Sequence, residues 1–195
     1  MARNWRDISY LQTGNPRQRR VYDLLHRYRL LDTLQDFDRA VVSTICVGFD
    51  IPSSDIDIIC HAPNLSQLDR VLRHHYSPLE SFCLRYRSPD GDSLVCSFRL
   101  EEFEIEIFGS GEPIESQFAY RHLCVMERLA SIGGESLKRE ICELKKRGLK
   151  TEPAIAQHLQ LPGNPYRAVL ELETVSDRIL HQAIENASSG HARRS

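Results

Sequence analysis

Two short segments in which acidic and apolar residues alternate constrain the fold of this chain more than any other feature. In the first, Asp55 and Asp57 alternate with isoleucines, and in a later segment Glu104 and Glu106 do the same. Because the side chains of a strand alternate between its two faces, each segment is predicted to be a strand with isoleucines in the core and both carboxylates on the opposite face. Carboxylates held this closely repel one another, which favours a cation or hydrogen-bond donors beside them.

The two acidic strands predict a metal site if they are neighbours in one sheet. Carboxylate oxygens that converge with water suit Mg²⁺ or Mn²⁺, which neutralises phosphate oxygens during an in-line displacement. We therefore predict that Asp55, Asp57 and Glu106 are catalytic metal ligands, with Glu104 as a further candidate. The alternative that the residues leave open is a pair of strands that show a hydrated face to solvent.

The first half of the chain has the pattern of an α+β domain. Asn15 and Pro16 begin an amphipathic helix, and Asn64 caps a second, shorter one. Five segments have the composition or alternation of strands, namely residues 40–47, 55–60, 79–87, 93–100 and 103–108. The prediction is a mixed β-sheet with flanking helices.

The second half changes to helical periodicity. Four helices are predicted, over residues 116–132, 134–147, 151–161 and 164–187. The domain prediction is therefore an α/β core over residues 1–112, a C-terminal helical lobe over residues 113–187, and a polar tail over residues 188–195 that we expect to be disordered.

The charge balance argues against a general nucleic-acid-binding surface. The 25 basic and 27 acidic residues give a formal net charge of −2, so a polyanion would have to be held locally. Residues 154–161, a turn at Pro162-Gly163 and a helix that begins at Pro165 superficially suggest a helix-turn-helix, but residues 151–185 carry two arginines against five carboxylates. DNA binding is therefore not expected.

The cysteines and the hydropathy indicate a cytoplasmic protein. No two cysteines form a C-x-x-C pair, and we predict that they are small buried thiols. They are Cys46, Cys60, Cys83, Cys96, Cys124 and Cys142. No stretch approaches the ~18 apolar residues of a membrane span, so no membrane partner is expected.

The chain resembles the nucleotidyltransferase superfamily of the DNA polymerase β type in the order of its elements. This order is a helix, a strand, a Ser/Gly-rich turn, the segment Ser54-Asp55-Ile56-Asp57, and a later acidic strand. A closer resemblance links the chain to a family of uncharacterised, mostly bacterial proteins within that superfamily. It is carried by residues 50–60, 106–109, 117–122 and 150–154, and it covers nearly the whole chain. The resemblance implies the superfamily fold and its general chemistry, with no named reaction.

The resemblance also implies a nucleotide site. Active members end the first strand with Gly-Ser or Gly-Thr, and by spacing that pair is Ser43-Thr44 here, so that serine replaces glycine. The implied nucleotide-binding residues are Ser43, Thr44, Ser53, Ser54, Arg121 and His122.

Three functions stay open at this point. The first is a Mg²⁺-dependent transfer of a nucleotidyl group from a nucleoside triphosphate to an unknown hydroxyl acceptor, which is a small molecule, a protein or an RNA. The second is a catalytically silent nucleotide-binding or protein-interaction module of the same fold, which Ser43 favours. The third and weakest is a DNA-binding regulator.

Overall fold

The computed structural model of the protein describes residues 3–87 and 92–192, with side chains up to residue 188. The chain forms two compact units. The sheet unit comprises the chain up to Cys46 and Ser53–Tyr120, and the helical unit comprises Val47–Pro52 and the chain from Arg121 onward. The division after Tyr120 lies eight residues beyond the predicted boundary at 112–113, and the short turn 47–52 belongs to the helical unit.

Within its described residues, the sheet unit has five strands and four helices with short 3-10 segments between them. In chain order these are α1 (Ser9–Gln12), α2 (Pro16–Arg27), α3 (Leu30–Thr33), β1 (Asp38–Val41), a 3-10 helix (Thr44–Val47), β2 (Ile56–His61), α4 (Leu65–Tyr76), β3 (Cys83–Arg87), β4 (Ser93–Leu100), β5 (Phe103–Ser110) and a 3-10 helix (Ile114–Ser116). The strands form one sheet in the order β1-β2-β5-β4-β3. Because β2 and β5 are parallel and the other pairs are antiparallel, the predicted mixed sheet is confirmed.

One face of the sheet is apolar. It carries Ile56 and Ile58 of β2 and Ile105 and Ile107 of β5, all fully buried. Helix α4 packs on this face, where the rings of Tyr76 and Phe98 stack with their centroids 4.5 Å apart. The isoleucines are therefore in the core, as their alternation with acidic residues predicts.

The opposite face, called the charged face below, carries the acidic side chains. Residues paired across the strands share a face. The pairing places on this face Asp57 of β2, Glu104 and Glu106 of β5, Ser97 and Arg99 of β4, and Cys83, Arg85 and Arg87 of β3. A row of Ile59, Phe108 and Val95 also lies on this face, and Ile59 and Val95 are buried.

Strand β1 is shorter than the predicted strand 40–47. Its pairing continues to Val42, whose amide donates to the Asp57 carbonyl. At Ser43 the side-chain hydroxyl accepts from the Ile45 amide at 3.2 Å, and the Cys46 amide donates to the Ser43 carbonyl. These local bonds replace sheet pairing, which is how serine commonly ends a strand.

The helical unit contains most of α5 (Phe118–Lys146), followed by α6 (Thr151–His158), α7 (Pro165–Glu171), a 3-10 turn (Leu172–Thr174) and α8 (Asp177–Ala192). Helix α5 is two helical arms joined at Gly134, whose φ of 58° and ψ of −155° are not helical. A positive φ suits glycine because it has no Cβ. The arms correspond to the predicted helices 116–132 and 134–147.

The prediction of one helix over residues 164–187 is wrong. The chain leaves the helix at Val175, where ψ is 134°, and α8 begins afresh at Asp177. This break changes the buried side of the last helix, so Ile179 is 52% exposed while Leu180 and Ile184 are buried. Helix α8 also continues to Ala192, into the predicted disordered tail, because extending a formed helix costs less than starting one. Residues 193–195 of that tail lie outside the described residues.

The cysteine prediction is only partly correct. Cys46, Cys60 and Cys96 are buried, and burial raises the pKa of each thiol to about 12. Cys83 is exposed because β3 is an edge strand, and the remaining two cysteines are half-buried. Among the helices that the structure describes, none combines the length and the apolar character needed to cross a membrane.

Candidate functional site

The charged face brings two predicted carboxylates side by side. Strands β2 and β5 run parallel, and Asp57 is the direct partner of Glu106. Neighbouring strands lie ~4.8 Å apart, so the two side chains leave the sheet in the same direction from adjacent backbones. Both residues are half-buried. The isoleucines on either side of each carboxylate fix this orientation. If the register of either strand shifted by one residue, its carboxylate would enter the core and its isoleucines would face the charged side.

The other two predicted carboxylates lie at the border of this pair. The β2–β5 ladder begins with Ile56 opposite Ile105, so Asp55 and Glu104 are each one residue before it. Asp55 is half-buried, whereas Glu104 is exposed and stands opposite Arg99 of β4. The sequence left the choice between Glu104 and Glu106 open, and the register favours Glu106 as the neighbour of Asp57.

No complete metal site is formed by these side chains alone. Across residues 3–87 and 92–192, no group of three or more His, Cys, Asp or Glu side chains is placed to hold a metal ion. Asp57 and Glu106 are therefore two neighbouring oxygen donors. Mg²⁺ commonly binds through one or two carboxylates and takes its other ligands from water and substrate phosphates.

Ser43 has an internal role that its sequence position does not reveal. The residue is fully buried. Its hydroxyl donates to the Asp55 carbonyl at 2.7 Å and accepts from the Ile45 amide at 3.2 Å. Ser43 thus links the end of β1 to the residue that precedes β2. Its predicted role in nucleotide binding stays a prediction, and it would depend on groups other than this hydroxyl.

The other three predicted turn residues lie at the same end of β2. Thr44 begins the 3-10 helix and is half-buried, Ser53 is exposed, and Ser54 is buried at the residue before Asp55. All three residues lie in the connection between β1 and β2, with Thr44 near its beginning and Ser53 and Ser54 near its end. Their contacts with a nucleotide stay predictions.

Two residues at the start of α2 support these turns and were missed by the sequence analysis. Gln18 closes the capping box with Asn15, and its amide nitrogen donates to the carbonyls of Ile45 at 2.9 Å and Cys46 at 3.2 Å. Arg17 donates to the Ser54 carbonyl at 3.0 Å, and its guanidinium lies 4.8 Å from the centre of the Phe103 ring. The Asn-Pro cap identifies this helix start in the sequence, but its long-range partners are not encoded locally.

Arg121 and His122, the predicted phosphate contacts, are engaged within the helical unit. The guanidinium of Arg121 contacts the Glu173 carboxylate, with an Nη2 to Oε2 distance of 2.6 Å, and this partner raises the arginine pKa. His122 is buried, and its Nε2 lies 2.9 Å from the Tyr166 carbonyl. Both residues therefore have partners that a phosphate would have to compete with.

The turn 47–52 is held by α5 within the helical unit. The buried ammonium of Lys145 donates to the Phe49 carbonyl at 2.5 Å. The thiol of Cys142 lies 3.3 Å from the Asp50 carbonyl and 3.8 Å from that of Gly48. Burial, with Asp50 nearby, raises the pKa of this thiol. The turn that connects the two predicted nucleotide-binding segments is thus fixed by side chains that the sequence does not single out.

A separate open pocket of about 630 Å³ lies at the other end of the parallel strands. Its lining includes Ala62 just after β2, Asn64 and Ser66 at the start of α4, and Gly111 just after β5. None of the predicted site residues lines it. The pocket therefore adds nothing to the case for the carboxylate pair.

Comparison with known protein families identifies the family of the chain. A domain of unknown function, DUF4269, matches residues 23–172. Comparison with curated proteins found no match, and comparison with solved structures found none either. The expectation of an uncharacterised family is thus confirmed, while its membership of the nucleotidyltransferase superfamily stays a prediction.

Proposed function

Since the chain belongs to the DUF4269 family, a domain of unknown function, we propose from its own residues that the sheet unit is a Mg²⁺-dependent nucleotidyltransferase domain. The observation that carries the proposal is the pairing of Asp57 with Glu106 on adjacent parallel strands. The substrates would be a nucleoside triphosphate and an acceptor with a hydroxyl group.

The carboxylates suit a metal that arrives with its nucleotide. Asp57 and Glu106 offer adjacent oxygen donors, and Asp55 lies two residues before Asp57 on the chain. This donor set fits Mg²⁺ or Mn²⁺, which completes its coordination with phosphate oxygens and water. The bound ion would supply neutralisation of charge on the phosphates. Thr44, Ser53 and Ser54 would contact the phosphates from the turns beside β2.

The proposed reaction needs one proton acceptor. The acceptor hydroxyl oxygen forms a bond to the α-phosphorus, and the bond between that phosphorus and the bridging oxygen breaks, so pyrophosphate leaves with the electron pair. Glu106 is the residue that we assign to receive the hydroxyl proton, because it lies on the β4 side of Asp57. Asp57 and Asp55 would hold the metal, and Ser43 fixes the Asp55 backbone through its 2.7 Å hydrogen bond.

A nucleotide-binding module without catalysis is the second candidate function. Two observations favour it: the buried Ser43 hydroxyl stands where active members use glycine, and no third metal-ligating side chain joins the carboxylate pair among the residues described. Such a module would bind the triphosphate and never release pyrophosphate. Nucleotide binding is therefore common to both candidates, and turnover separates them.

Calorimetric titration of MgATP and MgGTP tests the proposal. Wild type is expected to bind at least one of them, and Asp57→Asn is expected to weaken that binding tenfold or more, equivalent to about 1.4 kcal/mol. Asparagine has almost the same shape but no charge, so the fold is retained. Glu104→Gln is the matched control, because Glu104 is an exposed carboxylate on the same face and outside the pair.

The proposal is wrong if folded wild type binds neither nucleotide at millimolar concentration. It is equally wrong if Asp57→Asn and Glu104→Gln bind with the affinity of wild type. If the carboxylate dependence is found, incubation with triphosphate labelled at the α-phosphate and release of pyrophosphate distinguish the enzyme from the silent module.

A further inference from the structure

Arginines occupy the part of the charged face that lies beyond Glu106. Arg85 and Arg87 are on the edge strand β3, and Arg99 is on β4. All three are exposed. Ser97 of β4 is paired with Glu106 on one side and with Cys83 on the other. Arg99 lies two residues after Ser97 on β4. Arg85 lies two residues after Cys83 on β3, which runs antiparallel to β4, so the two arginines are on opposite sides of Ser97 along the strand direction. Long side chains from these two positions can converge over Ser97.

These guanidinium groups have no carboxylate partner within the described part of the chain. No ion pair within 4.0 Å is formed by Arg85, Arg87 or Arg99, although Arg99 stands opposite Glu104 in the ladder. Two other exposed arginines of the sheet unit are paired: Arg20 contacts Glu102 at 2.7 Å, and Arg27 contacts Glu101 at 2.7 Å. Arg70 of α4 is exposed and forms no ion pair within the described residues, but it lies away from the charged face. The charged face therefore presents cations that are available to an anionic ligand.

The strand order separates these arginines from the proposed nucleotide side. In the order β1-β2-β5-β4-β3 the turns that carry Thr44 and Ser54 adjoin β1 and β2, whereas Arg85 and Arg99 are on β3 and β4. The Asp57–Glu106 pair lies between the two sides. An in-line displacement needs the attacking group and the leaving group on opposite sides of the reacting phosphorus. If the nucleotide lies beside β1 and β2, the acceptor lies on the other side of the Asp57–Glu106 pair, over β4 and β3, where Arg99 and Arg85 are.

We propose that the acceptor carries a phosphate group, and that Arg85 and Arg99 bind this group over Ser97. The inference rests on the proposed function, since it takes Glu106 as the residue that meets the acceptor hydroxyl. Ser97 is one strand from Glu106, a spacing of ~4.8 Å, so the phosphate and the reacting hydroxyl are a few bonds apart on one acceptor molecule. Arginine suits this ligand because its planar fork donates two hydrogen bonds to phosphate oxygens.

The phosphate could belong to a small sugar or polyol phosphate or to the end of a single-stranded nucleic acid. Arg87 bears on this choice. It is two residues beyond Arg85 on β3, ~6.8 Å further from the carboxylate pair, where only a ligand with more than one phosphate would reach it. Dependence on Arg87 therefore identifies a strand, and independence identifies a small acceptor.

Two probes test the proposal on the full chain: glycerol 3-phosphate by calorimetry, and a fluorescent ten-nucleotide single-stranded RNA by anisotropy at two salt concentrations. At least one is expected to bind wild type. The double variant Arg85→Gln/Arg99→Gln is expected to weaken this binding tenfold or more. Arg70→Gln is the matched control, since Arg70 is also exposed but lies on α4, the helix that packs on the apolar face.

Asp57→Asn separates this inference from the proposed function. It is expected to weaken MgATP binding tenfold or more and to leave phosphate-probe binding unchanged or slightly stronger, because a nearby negative charge is removed. Binding of neither probe overturns the inference, as does equal weakening in Arg70→Gln. Loss of MgATP affinity in the arginine variant, with probe binding unchanged, also overturns it, because the arginines would then belong to the nucleotide side.

Discussion

Replacement of Phe98 by alanine is expected to reduce the free energy of unfolding by about 3–5 kcal/mol. Phe98 is 1% exposed, and its ring stacks on Tyr76 of α4 at an interplanar angle of 22°. The substitution removes the stacking and leaves a cavity between α4 and the apolar face of the sheet. Urea denaturation followed by circular dichroism measures the change.

Phe118→Ala is the matched control for this prediction. The same side chain is removed, but Phe118 is 66% exposed, so a change within about 0.5 kcal/mol is expected. Similar losses in both variants would contradict the placement of Phe98 in the core and of α4 on the apolar face. The helical spacing in the sequence would place Phe118 inward, so this control also tests a position where the structure differs from the periodicity.

Leu68→Ala is expected to destabilise the protein by about 2–5 kcal/mol, and Gly109→Ala by about 1–3 kcal/mol, in both cases by disturbing the contact of α4 with β5. Leu68 is fully buried. A Cβ added at Gly109 would lie 2.2 Å from the Leu68 Cδ2 atom, far closer than two carbon atoms approach without displacement. Leu68 of α4 can therefore pack against β5 because Gly109 has no side chain.

The two substitutions are expected to be coupled. Leu68→Ala removes the methyl group that the new Cβ would meet, so the double variant should lose less stability than the two single losses added together. A difference of at least 0.5 kcal/mol from additivity is expected, as for residues in contact. Additive losses in urea denaturation would contradict this helix-to-sheet contact.

The acidic strands could be predicted from the sequence because their information is local. Alternation assigns Asp57 and Glu106 to one side and the isoleucines to the other, whatever the neighbouring strand is. The sequence did not specify that β5, rather than β4, adjoins β2, nor that Glu106 faces Asp57 directly. Pairing between strands separated by more than 40 residues depends on tertiary contacts, which local patterns do not contain.

The last helices show why periodicity alone failed elsewhere. The spacing of Leu172, Val175 and Ile179 is compatible with one face of a continuous helix. The chain adopts an extended conformation at Val175 instead, and carbonyl groups around this break accept hydrogen bonds from the Arg128 guanidinium, at 2.7 Å for the Val175 carbonyl. A distant arginine satisfies backbone groups that a continuous helix would have satisfied internally.

Some residues of the candidate site could be identified from local sequence patterns, whereas their contacts depend on distant parts of the chain. The spacing before Asp55 identified Ser43, but its burial and its bond to the Asp55 carbonyl depend on the β1–β2 pairing. Arg17 and Gln18 were missed because their partners, the carbonyls near residues 45 and 54, are far along the chain. The sequence signal for Gln18 was its position in a capping box, which explains only one of its contacts.

Binding of Mn²⁺, measured by electron paramagnetic resonance of the free ion, tests most directly the central claim that Asp57, beside Glu106, holds a metal together with a nucleotide. Wild type with ATP is expected to remove more Mn²⁺ from solution than ATP alone, while the protein without nucleotide removes little because it offers only a pair of carboxylates. Asp57→Asn should lose the additional binding, and Glu104→Gln should keep it. Uptake by wild type no greater than that of ATP alone, or equal uptake by Asp57→Asn, would contradict the claim.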